Sequence, residues 1–237
     1  MISAGELRDS VRGYLNHDNP DRLAIRTTLD SIKSRLPDSE TVIFGGMLRD
    51  FALGNARAFS SDIDLVSLAT REDIAKAVER FSPVRNKFGG YRFAVKKQVY
   101  DIWAFEDTWA FREGFVKGTD LLDLLKTTFF NVDASAYSIS RDCCYISPVM
   151  QSSIEAKLLD INLAENPSPD RMLRRAIRMG CEENFAIGEA LASFLLRHLR
   201  LQHLDRVSCM FMLGLKKHVE HGSKSPYRFS PQLTLFR

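Results

Sequence analysis

Residues 41–69 read TVIFGGMLRDFALGNARAFSSDIDLVSLA, and the fold follows from how that stretch is punctuated. Thr41-Val42-Ile43-Phe44 is a short apolar run of β-branched character that stops at Gly45-Gly46, which marks a strand. Met47 to Leu53 is helical in character, so the glycine pair sits at a strand-to-helix turn. Asp62 to Leu68 reads as the next strand. Side chains at i and i+2 share one face of a strand, so Asp62 and Asp64 present two carboxylates together. Like charges that close resist joint ionisation unless a cation holds them. Hard oxygen ligands on a rigid strand suit Mg2+, which keeps part of its water and shares phosphate oxygens.

Downstream, residues 91–95 and 99–103 alternate like the strands of a hairpin turned at Lys96-Lys97-Gln98. Asp101 lies on the second of these strands and is the natural third carboxylate. Three such ligands can hold two ions about 3.5–4 Å apart, the geometry of in-line phosphoryl or nucleotidyl transfer. Gly45 and Gly46 at a helix start offer backbone N–H groups to a triphosphate. Taken singly, a glycine pair is an ordinary turn and Asp-x-Asp an ordinary solvated edge. Their order carries the signal.

The rest of the chain fits an α+β protein. Two helices precede residue 41, the second with Ile25, Leu29, Ile32 and Leu36 in one stripe ended by Pro37. Helices are expected over 71–81 and 120–127, and a hairpin over 135–146 with Arg141-Asp142 at its turn. After Pro148 the pattern reads as helix only: an arginine-rich segment over 169–180, then apolar helices over 187–204 and 207–219, then an extended tail from Gly222. The expected division is a head domain, 1–147, with a small mixed sheet and flanking helices, and an all-helical part, 148–237.

Of 237 residues, 33 are Lys or Arg and 30 Asp or Glu, a balance that leaves any nucleic-acid partner to local chemistry. The four cysteines include no CxxC pair, which favours a reduced intracellular setting. The first residues, MISAGELRDSVRGYL, lack a signal-type apolar core, and no apolar run approaches the ~18 residues of a membrane span. A cytoplasmic protein with no membrane insertion is expected. His218 and His221 lack partners at ligand spacing, and Cys209-Met210-Phe211-Met212-Leu213 reads as core.

The stretch 45–69 resembles the signature of the polymerase β nucleotidyltransferase superfamily, and within it the head of the class II bacterial tRNA nucleotidyltransferases and poly(A) polymerases. Gly45-Gly46-Met47-Leu48-Arg49-Asp50 matches GGxVRD, Leu53-Gly54 the following leucine-glycine, and Asp62-Ile63-Asp64 the DxD. Residues 145–162 and the arginine-rich 169–178, similar to the neck helix, extend the match to about 40–180. The resemblance implies that Asp62, Asp64 and Asp101 bind two Mg2+ ions. It implies that Gly45, Gly46 and Arg49 hold the incoming NTP or dNTP, and that Arg171, with Arg174 and Arg178 on the same helix, meets its base.

The departures matter as much. Where the family has Arg-Arg-Asp-Phe-Thr-Ile-Asn-Ala, this chain has Thr127-Thr128-Phe129-Phe130-Asn131-Val132-Asp133-Ala134. The charged ribose reader is gone and Asp133 takes the asparagine's place beside the nucleotide. Few residues follow the neck, so a tRNA-gripping tail is not expected. The implied function is template-independent nucleotide transfer, adenine nucleotides favoured, onto a hydroxyl acceptor. The product would be a short oligonucleotide or an extended nucleic-acid end; small relatives often serve bacterial anti-phage defence, with an effector or partner protein. tRNA 3′-end addition and a non-catalytic nucleotide-binding regulator are the alternatives. Tyr227, in the extended tail between Lys224 and Arg228, is a candidate self-priming hydroxyl; the alternative is that its ring docks on the helical part beside Phe229 and Leu233.

Overall fold

A computed structural model describes residues 2–198 and 204–230. Ser3 caps α1 (Ala4–Leu15) through a reciprocal pair with Glu6, and Asn19 caps α2 (Pro20–Arg35), whose stripe of Ile25, Leu29 and Ile32 is buried. The chain then enters β1 (Thr41–Phe44), turns at Gly45 with φ +75°, and forms α3 (Gly46–Ala52). That positive φ is why a glycine stands there. β2 (Ile63–Ser67), α4 (Arg71–Val78) and a 3-10 turn over Glu79–Phe81 follow.

A two-residue strand, β3 (Val84–Arg85), precedes the hairpin of β4 (Tyr91–Val95) and β5 (Gln98–Ala104). Gln98 pairs with Val95, so the turn is Lys96-Lys97 alone, with Lys96 at φ +53°. α5 (Trp109–Arg112) and α6 (Leu121–Leu124) are single turns, the second capped by Asp120 and prolonged by a 3-10 turn to Thr127. The expected second hairpin is β6 (Ser135–Ser138) and β7 (Cys143–Ile146).

These strands form one seven-stranded sheet in the order β3-β4-β5-β2-β1-β6-β7. Only β2 and β5 run parallel, because α4 and the β3–β4 excursion carry the chain back to the same end before β5 begins. Strand alternation then sorts the side chains. Ile43, Ile63, Leu65, Tyr100 and Ile102 face a core with α1, α2 and α4, while Val42 and Val66 face a second core. Asp64 and Asp101 share parity with Val66, so they face the second side, against which the C-terminal part packs.

That part contains α7 (Pro148–Ala156), α8 (Pro169–Glu182), α9 (Glu189–Arg197) and α10 (Arg206–Glu220). It is not helix only. β8 (Leu158–Leu159) pairs in parallel with β9 (Ala186–Ile187), and Ile187 bridges Tyr227. Ile187 is thus strand, not the start of a helix. Two-residue strands carry no readable period, and tertiary pairing decides them. Of the expected helix over 187–204, residues 199–203 lie outside the described set. Among the described residues, no helix is long and apolar enough to cross a membrane.

Candidate active site

The backbone register sets the acidic side of the site. Parallel pairing puts Asp64 directly opposite Asp101, and Asp64 also stands opposite Phe44 of β1. Asp62 lies one residue before β2, on the same side by alternation. All three carboxylates line one open cavity of about 610 Å³.

Its opposite wall is α8. Arg171, Arg174, Arg175 and Arg178 fall at i, i+3, i+4 and i+7, one face of a helix, and all four line the cavity. Gly46 and Arg49 complete it from the turn after β1. A Cβ on Gly46 would meet Arg175 Nη2 at 3.1 Å, so a bare backbone lets that guanidinium approach.

Asp133 is not on the cavity surface but behind it. Its two oxygens accept from Arg49 Nη1 at 2.8 Å and pair with Arg175 Nη2 at 3.1 Å, with the carboxylate buried. Arg49 is itself only 4% exposed and also donates to Asp50 from Nη2 at 2.6 Å. Burial works against the Arg49 cation, but Asp133 and Asp50 more than offset it and raise its pKa above the ordinary range. Arg49 is therefore a fixed positive charge in the cavity floor, and Asp133 positions two arginines.

Asp64 shows the opposite stress. Burial first, then the neighbouring Asp101 and Asp62 carboxylates, push its pKa up to about 7, while Arg175 and Arg171 pull the other way. Positive charge is in short supply at that oxygen. Its two neighbours, Asp62 and Asp101, draw a cation from an unexpected source: Arg92 on β4, opposite Asp101 in the antiparallel pair. Its Nη2 donates to Asp62 at 2.5 Å and to Asp101 at 2.6 Å, and its Nε donates to Asp101 at 3.0 Å. A guanidinium thus stands where a cation between these carboxylates would stand. Among the described residues, no three carboxylate, imidazole or thiol groups converge on one point as a finished metal cage. The donor set is nonetheless all hard oxygen and under-neutralised, which fits a divalent cation held by Asp62, Asp64 and Asp101.

Two arginines of this site, Arg92 and Arg175, do not follow from the sequence reading. Arg175 had a signal in its i+4 spacing from Arg171, whereas Arg92 depends on cross-strand pairing. Tyr227 lies elsewhere. Its ring is buried against Phe211, with centroids 5.5 Å apart, and its hydroxyl donates to the Phe211 carbonyl at 3.2 Å. Burial pushes its pKa up to about 12, and its backbone pairs with Ile187. Such a hydroxyl cannot accept a nucleotide unless the tail undocks, so the structure does not bring the expected primer to the carboxylates.

No protein-family model matches this sequence, and no curated protein does. Solved structures with a similar fold include CCA-adding enzymes and a tRNA nucleotidyltransferase. A CCA-adding enzyme in its apo form superposes with a TM-score of 0.63 at 17% identity, over 97% of this chain and 58% of its own. The Thermotoga maritima CCA-adding enzyme complexed with tRNA gives 0.60 at 17% identity, over 98% and 58%. A tRNA nucleotidyltransferase complexed with a primer tRNA and an incoming ATP analog gives 0.52 at 22% identity, over 71% and 49%.

The chain thus has the polymerase β-like nucleotidyltransferase fold, resembling the head of the class II enzymes. In two of these superpositions the likeness extends over nearly the whole chain, beyond the 40–180 where motifs are readable. This chain spans about half to three-fifths of the length of these structures.

Proposed function

We propose that this protein is a Mg2+-dependent, template-independent nucleotidyltransferase. An acceptor hydroxyl gives up its proton to solvent as its oxygen bonds to the α-phosphorus of an NTP or dNTP, the bond to the bridging oxygen of the β-phosphate breaks, and pyrophosphate leaves. The observation that carries this reading is the single cavity with Asp62, Asp64 and Asp101 on one wall and four arginines on the other. Two Mg2+ ions held by the carboxylates would lower the pKa of the attacking hydroxyl and offset charge on the leaving group.

The chain's own groups supply the rest. Arg49 and Arg175, fixed by Asp133, place positive charge where the triphosphate lies beside Gly46. Arg171, Arg174 and Arg178 offer guanidinium planes to the base, which suits a purine such as adenine because stacking needs no particular hydrogen-bond pattern. Arg92 must release Asp62 and Asp101 before an ion binds between them.

The names of the neighbouring structures favour a second reading, addition to a tRNA 3′ end. Incubation with each labelled NTP and dNTP plus Mg2+, with and without tRNA, separates the readings on a gel. Incorporation without tRNA supports the proposal, and tRNA-dependent addition supports the second. No incorporation under any condition removes both and leaves a nucleotide-binding regulator.

A further inference from the structure

A second cavity, of about 550 Å³, adjoins the first and shares Asp64, Arg92, Asp101 and Arg171 with it. Its character is different. Phe44, Phe88, Trp103 and Trp109 give it aromatic walls, and the chain's two tryptophans both lie there.

The build of this cavity restricts what it can recognise. Trp103 Nε1 already donates to Thr108 Oγ1 at 3.1 Å, so that indole has only its ring to offer. Trp109 packs against Phe115, with centroids 5.1 Å apart, which braces the ring from one side. The 86–90 turn is held by Asn86 Oδ1, which accepts from Phe88 N and Gly90 N at 3.0 and 3.1 Å. Gly90 is required there, because a Cβ would meet the Ile102 carbonyl at 2.9 Å. Arg71 donates to Asp107, in the 3-10 turn that precedes α5, and fixes that side as well. These are braced aromatic surfaces with cations beside them: Lys87, Arg92 and Arg171.

Flat rings plus cations are the means by which a site holds a nucleoside without choosing its base. The volume falls within the ~300–1,000 Å³ range of small-ligand sites, room for one nucleoside and its phosphate. The shared carboxylates put any hydroxyl carried by that nucleoside next to Asp101 and Asp64. We propose that this cavity is the acceptor subsite, in which the terminal nucleoside of a nucleotide or oligonucleotide stacks on Trp109 and Trp103 and offers its hydroxyl to the carboxylate centre. The proposal rests on the nucleotidyltransferase reading and names the class of acceptor it uses.

The tryptophans allow a test that does not depend on turnover. With the triphosphate site saturated by α,β-methylene-ATP and Mg2+, the protein is titrated with adenosine and, separately, with the trinucleotide ApApA, while tryptophan emission is followed. Saturable quenching by either supports the proposal, and the tighter of the two identifies a mononucleotide or an oligonucleotide end as the acceptor. Trp109→Ala, which leaves Trp103 as reporter, is expected to weaken binding by about tenfold or more, and Trp109→Phe to restore most of it. Retained α,β-methylene-ATP binding with no quenching by either probe overturns the proposal, as does quenching of equal affinity in Trp109→Ala. Failure to bind α,β-methylene-ATP at all would instead strike the nucleotidyltransferase reading itself.

Discussion

Asp64 and Asp101 stand on parallel strands paired residue for residue, whereas Arg171, Arg174, Arg175 and Arg178 reach across from one helix face. The acidic wall has short side chains on a hydrogen-bonded frame, so its oxygens are placed by backbone register. The basic wall has long side chains that can follow a ligand. Among the described residues, Arg175 alone of the four has an ion-pair partner, Asp133. Strands thus serve where atoms must be placed to a fraction of an ångström, and a helix of arginines, under the proposed function, where charge must adapt to a triphosphate and base.

The contrast breaks most sharply at the carboxylates. Asp62→Ala or Asp64→Ala should lower nucleotide transfer by about a thousandfold or more while far-UV circular dichroism stays unchanged. Substituting any one of Arg171, Arg174 or Arg178 by Ala should cost much less, because the remaining arginines of the face can shift toward the ligand. Equal losses on both walls, measured as kcat/KM, would end the distinction between placed and adaptable groups.

The buried junction between the walls comes next. Asp133→Ala leaves Arg49 without its partner at 2.8 Å and frees Arg175. Removing one member of a buried pair typically costs about 3–5 kcal/mol, because the other charge stays buried. Urea unfolding should show a loss of about 3 kcal/mol, with Asp133→Asn retaining part of it. A loss below about 1 kcal/mol would mean that Asp50 alone satisfies Arg49.

The difference between the two walls also explains what the sequence discloses. β1, the glycine turn and β2 are legible because a β-branched run, a glycine pair and an Asp-x-Asp are all local. The pairing of Asp64 with Asp101 is only half legible: alternation shows the β4–β5 hairpin, but the parallel docking of β5 on β2 is non-local. Arg92 is hidden for the same reason, since its ion pair with Asp62 spans 30 residues. Asp133 reads as a nucleotide ligand until burial shows both oxygens engaged. Tyr227 reads either as a primer in an extended tail or as a ring docked on the helical part, and the Ile187 bridge with the close approach to Gly214 decides for docking, Leu233 lying outside the described residues.

A titration sharpens the acidic side. Folding raises the Asp64 pKa from 3.8 to about 7, so between those values the folded state holds a proton that the unfolded state has released. Stability from this group is therefore greatest below pH 4 and falls as pH rises to about 7. Asp64→Asn removes that slope and should stabilise the metal-free protein at pH 8 by up to about 4 kcal/mol. Parallel stability curves for the two proteins between pH 5 and 8 would contradict the assignment.

Arg92 is half-exposed, so its pairs with Asp62 and Asp101 are screened and modest in strength. Arg92→Ala should tighten Mn2+ binding about three- to tenfold, read by the loss of free-ion electron paramagnetic resonance signal. Unchanged or weaker Mn2+ binding would show that the guanidinium does not compete for the ion's place.

The smallest expected effect concerns the sugar. Rejecting a substrate that lacks a hydroxyl requires a polar group of the protein that the missing hydroxyl would leave unpaired. The three positions that replace Arg-Arg-Asp have their polar atoms engaged already. Thr127 Oγ1 donates to the Leu124 carbonyl at 2.7 Å, and Thr128 Oγ1 donates to the Phe130 carbonyl at 3.0 Å while accepting from Asn162 Nδ2. Phe129 is buried against Phe130 and Phe194 and has nothing to offer a 2′-hydroxyl. A dNTP therefore strands no donor at these positions, and the arginines of α8 can settle on either sugar. The ratio of kcat/KM for ATP over dATP should stay within about tenfold, less than 1.4 kcal/mol of discrimination. A preference near a hundredfold would place a ribose reader on the helical wall, where Arg174→Ala and Arg178→Ala would then have to abolish it.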